Sequence, residues 1–242
     1  MEQALEWSKI LFSERRGIRA IARQAAKSEF FRDLVTLHEP GHGPRTRTLS
    51  GMRIIAGKAK GRRLIAPKAR GIRPTRDDVK ESVFSMIQGH VDKAVVLDLF
   101  AGTGNLGLEA LSQGAQKAIF VEKERIPLRA LVKNVDLCGF RDCAEIISRD
   151  AQTALKLLMR RGEKADLIFI DPPYGSGYAD KTLRFIDAHD MVTEQGTIVV
   201  EHGSEERLPD RCGRLERTSR KRYGDTVISI FRRPSSPRSS EA

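Results

Sequence analysis

The tetrapeptide Asp171-Pro172-Pro173-Tyr174 directly follows a short apolar run, Leu167–Ile170. The apolar run predicts a buried strand, and the two prolines stiffen the backbone that leaves it. The loop therefore offers a carboxylate, a fixed carbonyl and an aromatic ring close together. These groups suit a flat heterocycle with an exocyclic amino group, because such a group has two N–H bonds to donate and the ring can stack. For the tetrapeptide alone, a surface turn that is proline-rich by chance is the alternative.

A second candidate site follows the apolar run Ala94–Phe100, where a glycine-rich turn leads into a helical pattern from about Leu106 to Gln113. Strand, glycine-rich turn and helix are typical of the nucleotide-binding edge of a doubly wound sheet. Glycines let a ligand approach the backbone, and the start of a helix presents unpaired N–H groups. The segment therefore predicts a nucleotide-type ligand.

The glycine spacing is compatible with two classes of ligand. Gly102, Gly104 and Gly107 match G-x-G-x-x-G, and Glu122 ends the next predicted strand 20 residues after Gly102, so a dinucleotide-binding site is one interpretation. Asp98 argues against it, because a carboxylate at that strand end is unfavourable beside a pyrophosphate. The same carboxylate is compatible with S-adenosylmethionine (SAM), which carries a sulfonium cation.

The order of predicted elements indicates an α/β fold with a mostly parallel sheet. A helix is expected near 179–188 and a strand at 197–201, and the stretches 214–221 and 226–232 predict a C-terminal antiparallel hairpin. Ligands of such sheets bind at the carboxyl ends of the strands. Four acidic residues lie at or near predicted strand ends: Asp98, Glu122, Asp150 and Asp171.

Several segments together resemble a known family. Asp98–Gly104, Leu106–Ala110 and the Asp171–Tyr174 loop are similar to SAM-dependent amino-group methyltransferases of nucleic acids. Three further segments extend the similarity, over about 52–233, to the bacterial 16S rRNA guanine-N2 methyltransferase family RsmD: Met52–Gly57, Lys60–Leu64 and Arg73–Phe84. Arg76 and Asp78 depart from the family pattern, and the departure concerns local contacts and not the fold.

The resemblance implies a Rossmann-like seven-stranded sheet with a reversed last strand, SAM as cofactor, and methyl transfer to a guanine N2 in 16S rRNA, in assembled or assembling 30S particles. The implied catalytic residues are Asp171, Pro172, Pro173 and Tyr174. The implied cofactor residues are Thr75, Glu81, Asp98, Phe100, Ala101, Gly102, Thr103, Gly104, Gly107, Glu122, Lys123, Asp150 and Ala151. The expected RNA-binding residues are Arg53, Lys58, Lys60, Arg62, Arg63, Arg73 and Arg222. For Asp150 a helix N-cap is the alternative and simpler role, since a helical pattern follows it.

Charge indicates an anionic partner. The chain has 242 residues and a formal net charge of +11. Residues 51–80 alone hold ten Lys or Arg against two Asp, and 217–222 add a second basic cluster. Such clusters bind phosphate backbones, although a solvated basic surface is the alternative. Aromatic residues make up 6% of the chain, which favours recognition of shape and phosphates over extensive base stacking.

The remaining composition favours a cytoplasmic protein, and we expect a monomer without a metal. Neither the three cysteines nor the five histidines have metal-ligand spacing, and no apolar run reaches the length of a membrane span. We expect a disordered extension or a mis-assigned start at 1–51, a basic RNA-binding segment at 52–80, the methyltransferase domain at 81–233 and a disordered tail at 234–242.

Three other functions stay open at this point. A DNA or RNA methyltransferase acting on adenine N6 or cytosine N4 uses the same kind of loop, although no long insertion for DNA recognition is evident. A non-catalytic RNA-binding ribosome assembly factor is the second alternative, and a dehydrogenase is the third.

Overall fold

The computed structural model describes residues 52–67 and 77–234. Its helices are α1 (Asp77–Met86), α2 (Asn105–Ser112), α3 (Arg125–Cys138), α4 (Ala151–Arg160) and α5 (Tyr178–Ala188). Its strands are β1 (Val95–Asp98), β2 (Lys117–Val121), β3 (Ala144–Ile147), β4 (Ala165–Ile170), β5 (Val192–Gly203), β6 (Arg211–Cys212), β7 (Leu215–Tyr223) and β8 (Thr226–Arg232).

The strands form one sheet in the order β3-β2-β1-β4-β5-β8-β7-β6. The first five in this order are parallel, and β8, β7 and β6 continue the sheet in antiparallel pairs. The predicted Rossmann-like α/β fold with a C-terminal antiparallel hairpin is confirmed. The described sheet has eight strands instead of the expected seven, because the two residues of β6 pair with the start of β7.

Helices cover both faces of the sheet, and the longer strands supply side chains to both cores by alternation. In β1, Val96 belongs to the core under α1, α2 and α3, whereas Leu97 belongs to the core under α4 and α5. Gly107 allows α2 to approach β2 closely, since a Cβ at this position would lie 2.3 Å from Cε1 of Phe120. Helix α2 is thereby held against the strand whose carboxyl end carries Glu122.

Residues 52–67, called the N-terminal strip below, pack against the same domain. Met52, Ile54 and Leu64 are buried in the core shared with α1–α3, and Arg53 and Arg63 form an antiparallel bridge. The carboxylate of Glu109 in α2 accepts the backbone N–H groups of residues 55 and 56 at 2.8 and 2.9 Å. The predicted boundary between residues 80 and 81 lies inside α1.

Some expectations fall on residues outside the described ranges. These are the extension at 1–51, the tail beyond residue 234, and two of the expected site residues, Arg73 and Thr75. None of the helices α1–α5 has the length and apolar character that a bilayer span requires.

Candidate active site

Four acidic residues follow four strands that are neighbours in the sheet. Asp98 is the last residue of β1, and Glu122, Asp150 and Asp171 come shortly after β2, β3 and β4. Because these strands are parallel and adjacent in the order β3-β2-β1-β4, their carboxyl ends lie along one edge of the sheet. The topology thus brings together the residues that the sequence predicted for a ligand site.

The glycine-rich turn crosses this edge between β1 and α2. Gly102 and Gly104 both have a positive φ, +54° and +89°, a conformation that other L residues rarely adopt. A Cβ at Gly102 would meet nothing within 4 Å, so the backbone there borders open space, whereas a Cβ at Gly104 would lie 2.5 Å from a methyl carbon of Leu131. The turn therefore packs on α3 with one glycine and leaves its backbone accessible at the other.

Asp98 lies beneath this turn and is 2% exposed. Its Oδ2 accepts the backbone N–H of Gly107 at 3.0 Å, which fixes the first turn of α2. Burial raises the pKa of Asp98 to about 7, although the Gly107 hydrogen bond partly opposes this effect. A buried carboxylate of this kind is stabilised when a cationic group comes near.

Glu122 ties the end of β2 to the glycine turn. Its Oε2 accepts the N–H of Gly102 at 2.8 Å, and its Oε1 accepts the N–H of Glu124 at 2.7 Å. Burial raises the pKa of Glu122, and these backbone donors work against that shift. The neighbouring Lys123 is exposed, with its Nζ 3.7 Å from a carboxylate oxygen of Glu124.

Asp150 acts as the N-cap of α4. Its Oδ1 accepts the N–H of Thr153 at 2.9 Å, and hydrogen bonds from Thr153 lower the pKa of Asp150. The simpler of its two expected roles is therefore present, and the contact with an adenine amino group stays a prediction. Ala151 begins the helix and is buried. Phe100, half-buried after β1, has its ring centroid 6.3 Å from that of Tyr178.

The Asp-Pro-Pro-Tyr loop stands at the end of β4. Burial, followed by repulsion from Glu201 and Asp98, raises the pKa of Asp171 well above its usual value. Pro172 is buried and Pro173 is exposed. The hydroxyl of Tyr174 donates to Oε1 of Glu201 at 2.9 Å and lies 2.7 Å from Oγ1 of Thr226. Burial raises the pKa of Tyr174 to about 12, while 42% of the residue stays exposed.

Two partners of Tyr174 were missed by the sequence reasoning. Glu201, near the end of β5, is one more acid at a carboxyl strand end, so the signal that found Asp98 and Asp171 applies to it as well. Thr226 opens β8 and is brought to the loop by the antiparallel pairing of β5 with β8, in which it is the register partner of Gly203. No local pattern at position 226 indicates this contact.

Lys80, counted among the basic residues of 51–80, does not belong to a basic surface. Its side chain is 0% exposed and its Nζ lies 3.1 Å from Oε2 of Glu109, which is also 0% exposed. The same ammonium donates to Oδ1 of Asn105 at 2.8 Å and to the carbonyl of Arg53 at 2.5 Å. The sequence feature that indicates its burial is its position on the apolar face of α1, three and four residues before Val83 and Phe84. Lys80 thus joins α1, α2 and the N-terminal strip and is inaccessible to a nucleic acid.

The expected RNA-binding residues within the described ranges lie on the surface. The structure leaves Arg53, Lys58, Lys60, Arg62, Arg63 and Arg222 exposed. In the second basic cluster Arg217 is largely covered and pairs with Asp210, whereas the three residues 220–222 of β7 are exposed. Glu81, expected near the cofactor, is exposed on α1. Residues 52–67 and 77–234 contain no cluster of His, Cys, Asp or Glu that fits a metal ion.

Comparison with known proteins gives a consistent family. The family model described as "Conserved hypothetical protein 95" matches residues 52–232. A protein of Bacillus subtilis named "Putative rRNA methyltransferase YlbH" is 39% identical, over 75% of this chain and 99% of its own length. "Ribosomal RNA small subunit methyltransferase D" of Escherichia coli strain K12 is 30% identical, over 75% of this chain and 90% of its own length.

Solved structures agree with this similarity. An Escherichia coli structure titled "Putative methyltransferase yhhF" has a TM-score of 0.66 and 31% identity, covering 75% of this chain and 97% of its own. An RNA methyltransferase from Salinibacter ruber, solved with S-adenosyl-L-homocysteine, has a TM-score of 0.51 at 15% identity, over 70% of this chain and 100% of its own, and supports the fold alone. The chain therefore belongs to the RsmD family of methyltransferases, which carries the description "Conserved hypothetical protein 95".

Proposed function

We propose that this protein transfers a methyl group from S-adenosylmethionine to the exocyclic N2 amine of a guanine in small-subunit ribosomal RNA. The observation that carries the proposal is the Asp171–Tyr174 loop, held at the same sheet edge as the glycine turn with its tyrosine fixed by Glu201 and Thr226. Relatives at 30–39% identity that are named as rRNA methyltransferases supply the substrate class.

The residues at the glycine turn fit this cofactor. The backbone at Gly102 borders open space, and Asp98 is a buried acid that forms no ion pair with any residue the structure describes. Asp98 and the turn 102–104 hold the amino-acid part, whose ammonium group stabilises the Asp98 carboxylate. Glu122 accepts from the ribose hydroxyls, and Asp150 with Ala151 borders the adenine. S-adenosylmethionine, when bound, supplies an electrophilic methyl group.

The Asp-Pro-Pro-Tyr loop orients the base. An aromatic exocyclic amine is a weak nucleophile, because its lone pair is delocalised into the ring. The carboxylate of Asp171 and the carbonyl of Pro172 accept its two N–H bonds and direct the lone pair towards the methyl donor, while Tyr174 stacks on the base. The gain comes from orientation and preorganised charge, and the base must leave its stack to reach the loop.

Asp171 also takes part in moving the proton. The amine becomes acidic as the new bond to carbon forms, so the carboxylate accepts a proton late or passes it to water. Only the ionised form of Asp171 can accept. Since its pKa is raised in the unliganded protein, turnover is expected to fall as the pH drops through a value above the ordinary range of an aspartate.

The RNA surface consists of the exposed basic residues of the N-terminal strip together with Arg222 on β7. Such residues contact phosphates and give affinity that decreases with salt. The protein acts as a monomer in the cytoplasm on 16S rRNA within the 30S subunit or its assembly intermediates, with Arg73 and Thr75 contributing to the RNA and cofactor sides.

The proposal is tested with small subunits that lack the modification, labelled S-adenosylmethionine and nucleoside mass spectrometry, with free rRNA and duplex DNA alongside. The expected product is N2-methylguanosine from rRNA. Asp171→Ala should abolish turnover, because it removes the acceptor, and should leave cofactor binding by calorimetry nearly unchanged. Label in N6-methyladenine or N4-methylcytosine would instead support the alternative amino methyltransferases, and absence of both label and cofactor binding would support a non-catalytic assembly factor.

A further inference from the structure

Glu201 is a nearly buried acid that the mechanism above uses only as a tether. It is 9% exposed and accepts the hydroxyl of Tyr174 at 2.9 Å. The same hydroxyl lies 2.7 Å from Oγ1 of Thr226. A Cβ at Gly203 would lie 3.6–3.7 Å from Tyr174 atoms, so the tyrosine packs close to the end of β5. The Glu201 side chain is therefore held in one place beside the base-binding loop.

The sheet register brings Glu201 next to Asp171. Ile170 of β4 pairs with Val200 of β5, so Asp171 and Glu201 follow side by side on strands spaced about 4.8 Å apart. Phe169 and Val199, two residues earlier, both belong to the core on the α1 face, and by alternation the two acids point to that face. Repulsion from Glu201 contributes to the raised pKa of Asp171, which agrees with this proximity.

Two adjacent carboxylates and the Pro172 carbonyl present more acceptors than an exocyclic amine has N–H bonds. A third N–H donor beside the amine would use the remaining acceptor. Among the RNA bases that carry an amino group only guanine has one, because its N1–H lies beside the N2 amine. Adenine and cytosine have a ring-nitrogen lone pair next to their amines, and a lone pair facing a carboxylate is repelled. Adjacent like charges are stabilised by N–H donors, so a guanine edge fits this acidic pair best.

We propose that Glu201 is a specificity-determining residue, whose carboxylate accepts the N1–H of the target guanine and rejects bases that have a lone pair at that position. The inference rests on the proposed function, since it names the group that selects guanine in the same site. Sites that hydrogen-bond a substrate donor discriminate strongly against analogues that lack it, because their own polar groups are left unpaired.

The test uses 16S rRNA assembled by splint ligation with either guanine or 2-aminopurine at the methylated position. 2-Aminopurine keeps the amine but has a lone pair at N1. We expect the wild-type protein to prefer guanine by about 10- to 100-fold in kcat/KM. In Glu201→Gln the amide still accepts the Tyr174 hydroxyl and can also donate to N1, so the preference should shrink to about threefold or less.

Tyr174→Phe is the matched control, because it removes the hydroxyl that tethers Glu201 but leaves the carboxylate. It should slow both substrates and keep most of the preference for guanine. Thermal melts show that each variant is folded. Binding without cofactor gives a readout independent of turnover, with 2-aminopurine fluorescence as the signal and guanine RNA as the competitor. The affinity for 2-aminopurine RNA relative to guanine RNA should be about tenfold higher in Glu201→Gln than in the wild type.

Equal losses on both substrates in Glu201→Gln, with an unchanged preference, would overturn the inference and leave Glu201 as a tether for Tyr174. In that case N2-methylguanosine is still formed and the proposed function stands. If the wild-type protein labels adenine or cytosine and no guanine, the proposed function fails, and the inference fails with it.

Discussion

Lys80→Met is expected to lower the free energy of unfolding by about 3–5 kcal/mol, the usual cost of breaking a buried ion pair from one side. Lys80 and Glu109 are both 0% exposed and 3.1 Å apart. Methionine fills most of the space of the lysine stem, so the cost arises from the unpaired carboxylate and from the lost bonds to Asn105 and the Arg53 carbonyl. Glu109 still accepts two backbone N–H groups of the N-terminal strip, which favours the lower end of that range.

Urea denaturation followed by circular dichroism measures this loss. With a slope of about 2–3 kcal/mol/M, a loss of about 3 kcal/mol lowers the midpoint by about 1–1.5 M. Lys133→Met is the matched control, because Lys133 is exposed on α3 and its replacement should change stability by less than about 0.5 kcal/mol.

A loss below about 1 kcal/mol for Lys80→Met would refute this reasoning. It would mean that water reaches the ammonium group in solution and that Lys80 does not join the N-terminal strip to α1 and α2.

Three further outcomes follow from other sites. Asp98→Asn should stabilise the cofactor-free protein at pH 8: the folded-state pKa is about 7 against an ordinary 3.8, so the native state loses stability as the pH rises from about 4 to 7. Chemical denaturation at pH 4 and pH 8 measures the difference in unfolding free energy between the variant and the wild type. An equal difference at both pH values would contradict ionisation of Asp98 as its cause. Gly107→Ala should cost about 1–3 kcal/mol by overpacking, because the new methyl meets the buried ring of Phe120 at 2.3 Å; a variant as stable as the wild type in thermal melts would argue against the close contact. Arg62→Gln should reduce the salt dependence of rRNA binding, measured by filter binding, by about one unit of log–log slope. The control Arg160→Gln, at the end of α4, should leave this slope unchanged.

The parts of the site that could be predicted are those that local pattern determines. Apolar runs locate the strands, and an acid at the end of a run, such as Asp98 or Asp171, lies at the carboxyl edge of a parallel sheet whatever the details of packing. The glycine turn could be found for the same reason, because positive φ at Gly102 and Gly104 requires glycine. The two-residue strand β6 has too little sequence to form a pattern.

The parts that could not be predicted depend on contacts between distant residues. Tyr174 meets Glu201 across 27 positions and Thr226 across 52, and only the antiparallel return of β8 brings the latter near. Lys80 was counted with the other basic residues because its charge was weighed and its position on the α1 helical face was not. Its burial requires Glu109, and nothing near position 80 in the chain indicates that partner.

The order of strands in the sheet also governs how the protein emerges during synthesis. Among the described strands β8 is made last, yet it lies between β5 and β7, so each of these two strands lacks one of its neighbours until residues 226–232 have left the ribosome. Until then β5, with Ile198, Val199 and Val200, is an exposed apolar edge strand that can pair with other chains. The hydroxyl of Tyr174 also lacks Thr226 in this period. A chain released before residue 226 is therefore expected to aggregate and to lack an ordered base-binding loop, so the onset of activity depends on synthesis of β8.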